Sequence, residues 1–552
     1  MRGFKADNEI KLTDSYLHRE SIKEIAGRRY DGDEKAWYIP LTEKNIGLLQ
    51  LLGAELDDEL RTQIKPSGRQ LREAEPVQRM PIRAAPYSHQ IAAFNFTIGL
   101  YESGRRGAAI LADMGTGKTL ITIAAAGALF ENGKIERLLV ICPKSIVGVW
   151  EAEFGKFADY EYTVAVLEGD SGKKADTLRH LGGGGLRVVV VNYESARILE
   201  AELAKWKPDF IVCDESSKLS NPKAKKTKAV INLGQKAAYK AILTGTPITN
   251  SPLDFFSQYK FVDESIFGLN FFAFRARYAI IGGYGNHQII GYKNMAELVE
   301  KAHSIAYRIK LEDAVELPDK IDEIRSIELE KNARQIYESI DKDSYAELMQ
   351  GEVTTRNVLT RLLRLSQCTG GFIRDDVGGI VQEVSRAKLD ALADLLDECE
   401  EQGKKAVVFA RFIPEIEAIE KMLRKRKTEY SVIHGGIKDR AEQVERSQKD
   451  SNIKVFVGQL QTTGMGLTLT AASVAIFYSL DFSYANYEQS RARIHGIGQT
   501  KKCLYIHLVA KNTVDERVME ALKHKGDVAK LIVDDYKKLT GEQKWTKIEG
   551  LD

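Results

Sequence analysis

From Gly107 onward, short and nearly continuous apolar runs alternate with longer stretches of helical period. Ala108–Ala112, Leu138–Cys142, Val164–Leu167, Val188–Val191, Phe210–Cys213 and Ala241–Thr244 each read as a strand. Apolar residues on both faces of successive strands, separated by helices, predict a parallel sheet covered on both sides. The pattern lapses and then returns at Ala406–Ala410, Tyr430–Ile433, Lys454–Val457, Val474–Tyr478 and Leu504–Val509. Two α/β units follow, one before Phe256 and one after Arg386. Between them lie an aromatic-rich Phe267–Tyr278, a hairpin signal across Gly282–Tyr292, and helical periods over Asn332–Met349 and Thr355–Gln367. A long polar helical pattern runs from Thr513 to about Leu539. Ahead of all this, residues 1–65 form a small unit, and Gln63–Pro86, with Pro66, Pro76, Pro81 and Pro86, reads as a linker.

Composition narrows the class. The 552 residues allow several domains, and 43% hydrophobic content suffices for several cores. Net charge is only +2, from 80 basic and 78 acidic residues, so any basic track must be local. Such tracks are Lys223, Lys225, Lys226 and Lys228, and the Arg424–Lys427 run. The five cysteines include no C-x-x-C pair, which argues against a zinc site or a disulfide framework and fits a reducing compartment. With no apolar run of about 18 residues and no apolar leader core, neither a membrane span nor a secretory signal is expected.

Two strings carry the chemistry. Ala112–Thr119, Ala-Asp-Met-Gly-Thr-Gly-Lys-Thr, stands between a strand and the helix-prone Leu120–Phe130. Glycines there let backbone N–H groups close on a polyphosphate, Lys118 reaches the outer phosphates, and the Thr119 hydroxyl can ligate magnesium. Asp214 and Glu215 end the strand Phe210–Cys213 and suit metal binding and polarisation of an attacking water. Weaker signals follow. Leu243–Pro247 places Thr244 and Thr246 at a strand end, and Gln459–Leu469 is Gly-rich around Thr463, Gly464 and Gly466. Gln489–Gln499 bears Arg491 and Arg493 ahead of a glycine turn, where a guanidinium can reach another domain's nucleotide. In the opening unit Arg28, Arg29 and Tyr30, then Trp37, interleave basic and aromatic residues as in surfaces that stack and grip nucleic acid.

Taken in order, Gln90, Asp113–Thr119, Ile141–Lys144, Asp214–Ser217, Leu243–Pro247, Gly464–Leu469 and Gln489–Gln499 resemble the motifs of superfamily-two helicase-like motors. Arg308–Lys320, with Leu317-Pro318-Asp319-Lys320, and Arg493–Gln499 narrow the resemblance to the Swi/Snf branch. Lys23–Pro40 is similar to the HARP domain of annealing helicases. The resemblance implies an α/β fold with two RecA-like parallel-sheet lobes, a mostly helical insertion between them and a small N-terminal α+β domain. The boundaries drawn are 1–65 (HARP-like DNA-binding unit), 66–85 (linker), 86–255 (first lobe), 256–385 (insertion), 386–530 (second lobe) and 531–552 (C-terminal helix and tail). It implies ATP and Mg2+ as cofactors. Gln90 would read adenine, and Asp113, Met114, Gly115, Thr116, Gly117, Lys118 and Thr119 would bind the nucleotide. Thr119 and Asp214 would hold the metal, and Lys118, Asp214, Glu215, Gln489 and Arg493 would act in catalysis. Lys144, Thr244, Thr246, Thr463, Gly464 and Gly466 would couple the cleft to DNA.

The expected activity is that of an ATP-dependent translocase or helicase-like remodeller on duplex or forked DNA, a monomeric motor in the cytoplasm of a bacterial or phage-infected cell. Fork remodelling or strand annealing is the finer expectation. Two departures from the family pattern bear on it. Gly496 stands where a second arginine is usual, which raises an alternative: an ATP-gated DNA clamp with weakened hydrolysis. Ser216 and Ser217 replace Ala-His after the acidic pair. An RNA-directed helicase of the same superfamily is the other alternative.

Overall fold

The computed structural model describes residues 75–282, 288–349, 355–374, 381–437, 439–463 and 467–533, with 2–6, 9–13, 22, 27–42, 45 and 55–56 of the N-terminal stretch. The chain divides into a small N-terminal unit and a large unit that begins at Glu75.

The small unit is built on a sheet of β1 (Arg2–Ala6), β2 (Glu9–Thr13), β3 (Arg29–Asp31), β4 (Ala36–Pro40) and β5 (Glu55–Leu56), in the order β3-β4-β2-β1-β5. Ile10, Leu12 and Ile39, which alternate along β2 and β4 onto one face, are fully buried.

The large unit contains two wholly parallel sheets. The first joins β6 (Gly107–Ala112), β7 (Arg137–Cys142), β8 (Tyr162–Val166), β9 (Leu186–Asn192), β10 (Phe210–Asp214) and β11 (Tyr239–Thr244). A hairpin follows, β12 (Ala279–Gly282) with β13 (Gln288–Tyr292), and then β14 (Ala306–Ile309), which completes the order β14-β6-β11-β10-β7-β9-β8. The second sheet runs β15-β22-β21-β18-β20-β19. It comprises β15 (Lys320–Ile327), β18 (Ala406–Ala410), β19 (Tyr430–Ile433), β20 (Val455–Gln459), β21 (Val474–Phe477) and β22 (Cys503–Ala510), with a small β16–β17 hairpin (Phe372–Arg374, Val381–Glu383) between β15 and β18. Every strand run expected from the apolar pattern is present.

Burial explains why these runs read so clearly. All six residues of β6 and all five of β10 and β18 are buried, because helices cover both faces of each sheet. Against the first sheet, Trp150 and Phe154 of the Val147–Phe157 helix are buried to within 1%. Leu392, Leu395, Ile416, Ile419 and Leu423 cover one face of the second. All five cysteines are buried free thiols, Cys142 and Cys213 within strands of the first sheet.

The segment between the lobes is mostly helical, but two boundaries move. The span 256–385 is not one inserted body: β14 pairs with β6 in the first sheet, and β15 pairs along its whole length with β22 in the second. The helical part that remains, Lys331–Met349 and Thr355–Thr369, packs on the C-terminal helix Val514–Val533 through Tyr337, Leu365, Cys368, Val518 and Leu522. Residues 75–85 are not linker either. Ile82 bridges Ala158, and Arg79 pairs with Glu131 and Asp159 at 2.8 and 2.7 Å, so this stretch is fixed to the first lobe. The expected linker residues 66–74, and the tail beyond Val533, lie outside the described residues. Among the described residues no helix is long and apolar enough to cross a membrane.

Gly107 opens β6 in contact with the Phe255–Val262 helix. A Cβ there would lie 2.3 Å from Val262 Cγ1 and 2.4 Å from the Val262 carbonyl oxygen. Gly107→Ala is therefore expected to destabilise the large unit by about 1–3 kcal/mol through overpacking. A lowered denaturant midpoint at unchanged slope is the signature, and an unaltered midpoint would contradict this packing.

Candidate functional site: a phosphate loop facing a second-lobe arginine

The first cradle is made by backbone. β6 delivers the chain into a turn in which Gly115 and Gly117 take φ values of +82° and +88°, a region that glycine enters without the Cβ clash. Gly117 then starts the Lys118–Glu131 helix, whose first N–H groups have no partner within the helix and can meet an anion. The Thr116 hydroxyl donates to the Asp113 carbonyl at 2.7 Å and closes the turn. The Lys118 ammonium folds back onto the carbonyls of Ala112 (2.8 Å) and Asp113 (3.2 Å), and Thr119 lies half-buried in the first helical turn.

Two side chains of the Ser88–Glu102 helix hold the loop from behind. His89 Nε2 lies 2.9 Å and Gln90 Nε2 3.2 Å from the Thr116 carbonyl oxygen. A carbonyl only accepts, so each nitrogen carries the hydrogen. Burial pushes the His89 pKa down, against the opposing effect of that bond. The Gln90 oxygen also accepts from the Tyr87 N–H at 3.0 Å. Gln90 thus braces the loop, which leaves one amide hydrogen and one oxygen lone pair for a base. Asp113 lines the cleft, and its carboxylate takes Arg308 NH1 at 2.6 Å and the Leu311 N–H at 3.0 Å, which fastens the loop to β14.

Because the strands are parallel, the acidic pair emerges at the same edge of the sheet. Asp214 sits opposite Leu243 of β11, and Thr244 opposite Leu111 of β6. The Asp214 carboxylate accepts from Trp150 Nε1 (3.0 Å) and from the Glu215 N–H (2.9 Å). Burial, and next the neighbouring Glu215 charge, raise its pKa against the opposing pull of Lys118. Glu215 holds a left-handed φ of +51°, a strained setting for a residue with a Cβ. The Ser216 hydroxyl donates to Gln258 Oε1 at 2.8 Å, and Gln258 Nε2 donates to the Pro247 carbonyl at 2.7 Å. Gln258 therefore ties the acidic motif to the Thr244–Pro247 turn, and no signal in the sequence marks it. Thr244 Oγ1 accepts from the Thr246 N–H (3.1 Å), while the Thr246 hydroxyl is buried in the cleft without a hydrogen-bond partner. Lys144 is exposed just past β7.

The second lobe reaches this edge through the Tyr484–Arg491 helix and the turn after it. Gln489 Nε2 donates to Glu215 Oε2 at 3.5 Å. Arg493 is buried, donates to the Leu467 carbonyl at 2.9 Å and sets its other terminal nitrogen 3.3 Å from Met114 Sδ of the phosphate loop. Burial draws the Arg493 pKa down to about 10, and the Glu215 charge works against that. Arg491 cannot supply a second guanidinium to the loop. It is paired through both terminal nitrogens with the Asp322 carboxylate and lies 4.1 Å from the centre of the Tyr505 ring. Gly496 has an ordinary φ, and a Cβ there would meet only the Ala492 carbonyl oxygen at 3.7 Å. Gln499 donates to the carbonyls of Thr470, Ala472 and Ile494 and so shapes the turn. Gly464 and Gly466 lie outside the described residues, as does the Thr463 side chain.

Between the lobes is a cleft of about 390 Å³ whose lining includes Met114, Glu215, Thr246 and Gln489. The donor set of the phosphate loop and the strand end near it suits a nucleotide with magnesium: the open helix N-terminus, Lys118 and the Asp214 carboxylate, with the orphaned Thr246 hydroxyl on the wall of the cleft. Among the described residues no cluster of three metal-ligating side chains exists.

The N-terminal unit, taken by itself, holds four candidates, Arg28, Arg29, Tyr30 and Trp37. Arg29 lies 4.0 Å over the Tyr38 ring and 2.9 Å from Glu9, so it is committed to its own sheet. Tyr30 is 54% exposed and 5.0 Å from the half-buried Trp37, and Arg28 is exposed.

Comparison with known proteins places both lobes. The family model described as an SNF2-related domain matches residues 89–370, and the one described as a helicase conserved C-terminal domain matches 387–498. An uncharacterized ATP-dependent helicase of Mycoplasma pneumoniae is 26% identical over 80% of this chain and 42% of its own length. A Caenorhabditis elegans homolog of the SWI/SNF-related matrix-associated actin-dependent regulator of chromatin subfamily A-like protein 1 is 25% identical over 92% of this chain and 72% of its own. The chain thus spans about four-tenths of the first of these relatives. The solved SWI2/SNF2 ATPase core of Sulfolobus solfataricus in complex with dsDNA aligns with a TM-score of 0.40 and 23% identity, over 85% of this chain and 100% of that one.

A Cβ at Gly117 would fall 2.2 Å from Gln90 Nε2, at a φ that side chains rarely adopt. Gly117→Ala should cost about 1–3 kcal/mol of local strain and abolish nucleotide binding measured with a fluorescent ATP analogue. Binding at parental affinity would show that the loop does not need this conformation.

Proposed function

The chain belongs to the SNF2-related family, and from that premise we propose that it is a DNA-dependent ATPase of helicase type that translocates along duplex DNA. The observation that carries this reading is the meeting of two lobes over one phosphate loop, Gln489 on Glu215 and Arg493 on Met114. A site split in this way is complete only when the lobes are apposed, so hydrolysis is tied to their relative movement.

Lys118 and the N–H groups at the head of the Lys118–Glu131 helix would hold the phosphates, and Thr119 with Asp214 would hold magnesium. Bound there, the metal neutralises charge on the phosphate oxygens. Glu215, adjacent to Asp214 and touched by Gln489, is placed to orient the attacking water. Arg493 brings a fixed positive charge to the transferring phosphate, a contribution of about 10³–10⁵ in rate where such an arginine acts. Thr244 and Thr246 join the cleft to the following turn, and Ser216–Gln258–Pro247 adds a second tie where the family pattern has Ala-His.

The finer reading is fork remodelling or strand annealing. Its support is the N-terminal unit, whose Arg28, Tyr30 and Trp37 suit backbone contact and stacking. ATPase rates on duplex, forked and single-stranded DNA and on RNA test both levels. Duplex or forked DNA should stimulate most, Lys118→Ala should abolish turnover, and deletion of residues 1–65 should remove a preference for forks while basal ATPase persists. Stimulation by RNA above DNA would replace the DNA reading, and DNA-stimulated turnover in the Lys118 variant would overturn the site.

A second reading, an ATP-gated clamp with slow hydrolysis, has one observation behind it: Gly496 lacks a guanidinium, and Arg491 is held by Asp322. The turn accepts a side chain at 496, so Gly496→Arg should fold normally. If hydrolysis is limited by the missing arginine, kcat rises at least tenfold in that variant; an unchanged kcat shows that Arg493 alone suffices.

A further inference from the structure

The ten residues 310–319 are the direct link from the first sheet to the second, and both ends are tied to the site. On the first side, β14 runs beside β6 with Ile309 opposite Ala112, so the link leaves the sheet next to the phosphate loop. Asp113 clamps it there: Arg308 NH1 is 2.6 Å and the Leu311 N–H 3.0 Å from the two carboxylate oxygens. The Arg308 side chain is only 13% exposed, and it also donates to the carbonyls of Leu111 and Ile309. On the second side, His495 Nε2 lies 2.8 Å from the Pro318 carbonyl oxygen, so that nitrogen donates. The Cys503 N–H holds the Asp319 carbonyl at 3.0 Å, where β15 enters the sheet. His495 is two residues from Arg493, and Asp113 is the residue before Met114, which Arg493 touches.

We propose that residues 311–318 form a strap of fixed reach that sets Arg493 over the phosphate loop, and that Asp113, Arg308 and His495 are positioning residues for the reaction. Seven peptide steps span at most roughly 25 Å when extended. The helical turn Leu311–Ala314 shortens this reach, and Pro318 stiffens its far end. One end moves with the loop and the other with the arginine, so the strap limits how far the two can separate or rotate. The inference rests on the ATPase reading for its effect on rate, but not for its effect on lobe geometry.

The test uses the full chain with spin labels on Lys236→Cys and Lys425→Cys, exposed positions in the first and second lobes, and reads the inter-label distance distribution. Asp113→Asn and His495→Gln should each broaden it, and the double variant should broaden it little further, because releasing either end frees the same strap. A Gly-Gly insertion after the exposed Glu316 leaves every anchor in place and should broaden it as well. In an ATP-hydrolysing parent the same changes should lower kcat about 10²-fold while nucleotide Kd moves less than about threefold, and Arg308→Lys should restore only part of what Arg308→Ala loses. Unchanged distributions in the insertion and in both anchor variants, or kcat within about threefold of a hydrolysing parent, overturn the strap. A parent with no DNA-stimulated turnover overturns the ATPase reading instead, and the distance measurement still decides the strap.

Discussion

A buried carboxylate with a second one beside it at the cleft wall needs positive charge nearby, and the rest of the site follows from that constraint. Asp214 and Glu215 repel each other across one peptide, and the burial of Asp214 makes its charged form costlier still. Lys118 of the same lobe offsets part of it. The other fixed cation is the Arg493 guanidinium, which pays its own desolvation penalty and is favoured by Glu215. Neither lobe presents a comfortable set of charges alone. Apposition of the lobes, with Gln489 reaching Glu215, brings the opposite signs together in a low-dielectric cleft where each contact is electrostatically stronger than in water.

Much of this was legible in the chain. Strands buried on both faces leave uninterrupted apolar runs, so β6, β10 and β18 could be read directly. The phosphate loop could be read because a left-handed turn before a helix demands glycine at defined positions, here Gly115 and Gly117. β14 and β15 were not legible for an equally physical reason. β14 is four residues long and contains Arg308, and β15 lies at a sheet edge with a mostly exposed, charged sequence. Both strands are specified by a neighbouring strand's backbone rather than by their own side-chain pattern.

The roles of individual side chains were less legible than their positions. Asp113 belongs to the phosphate-loop motif in sequence, yet in space its carboxylate fastens that loop to β14. Arg491, two residues from Arg493 in sequence, is consumed by Asp322 and by the Tyr505 ring. Gln258, distant from every motif, links the acidic pair to the Pro247 turn. In each case the partner comes from an element more than 10 residues away, and spacing along a chain carries no information about such pairs. Gln489 and Arg493 were identifiable only because the order of motifs implied a second lobe.

The interleaving of β14 and β15 also decides how this molecule can be taken apart. β15 falls inside the stretch 89–370 matched by the first family description, but all eight of its residues are paired in register along β22 of the second sheet. Dissection at that boundary would carry away the rim of the wrong sheet and strip β22 of its neighbour. The row of backbone donors and acceptors left open is an invitation to pair with any passing chain. An autonomous second half therefore has to begin ahead of Lys320.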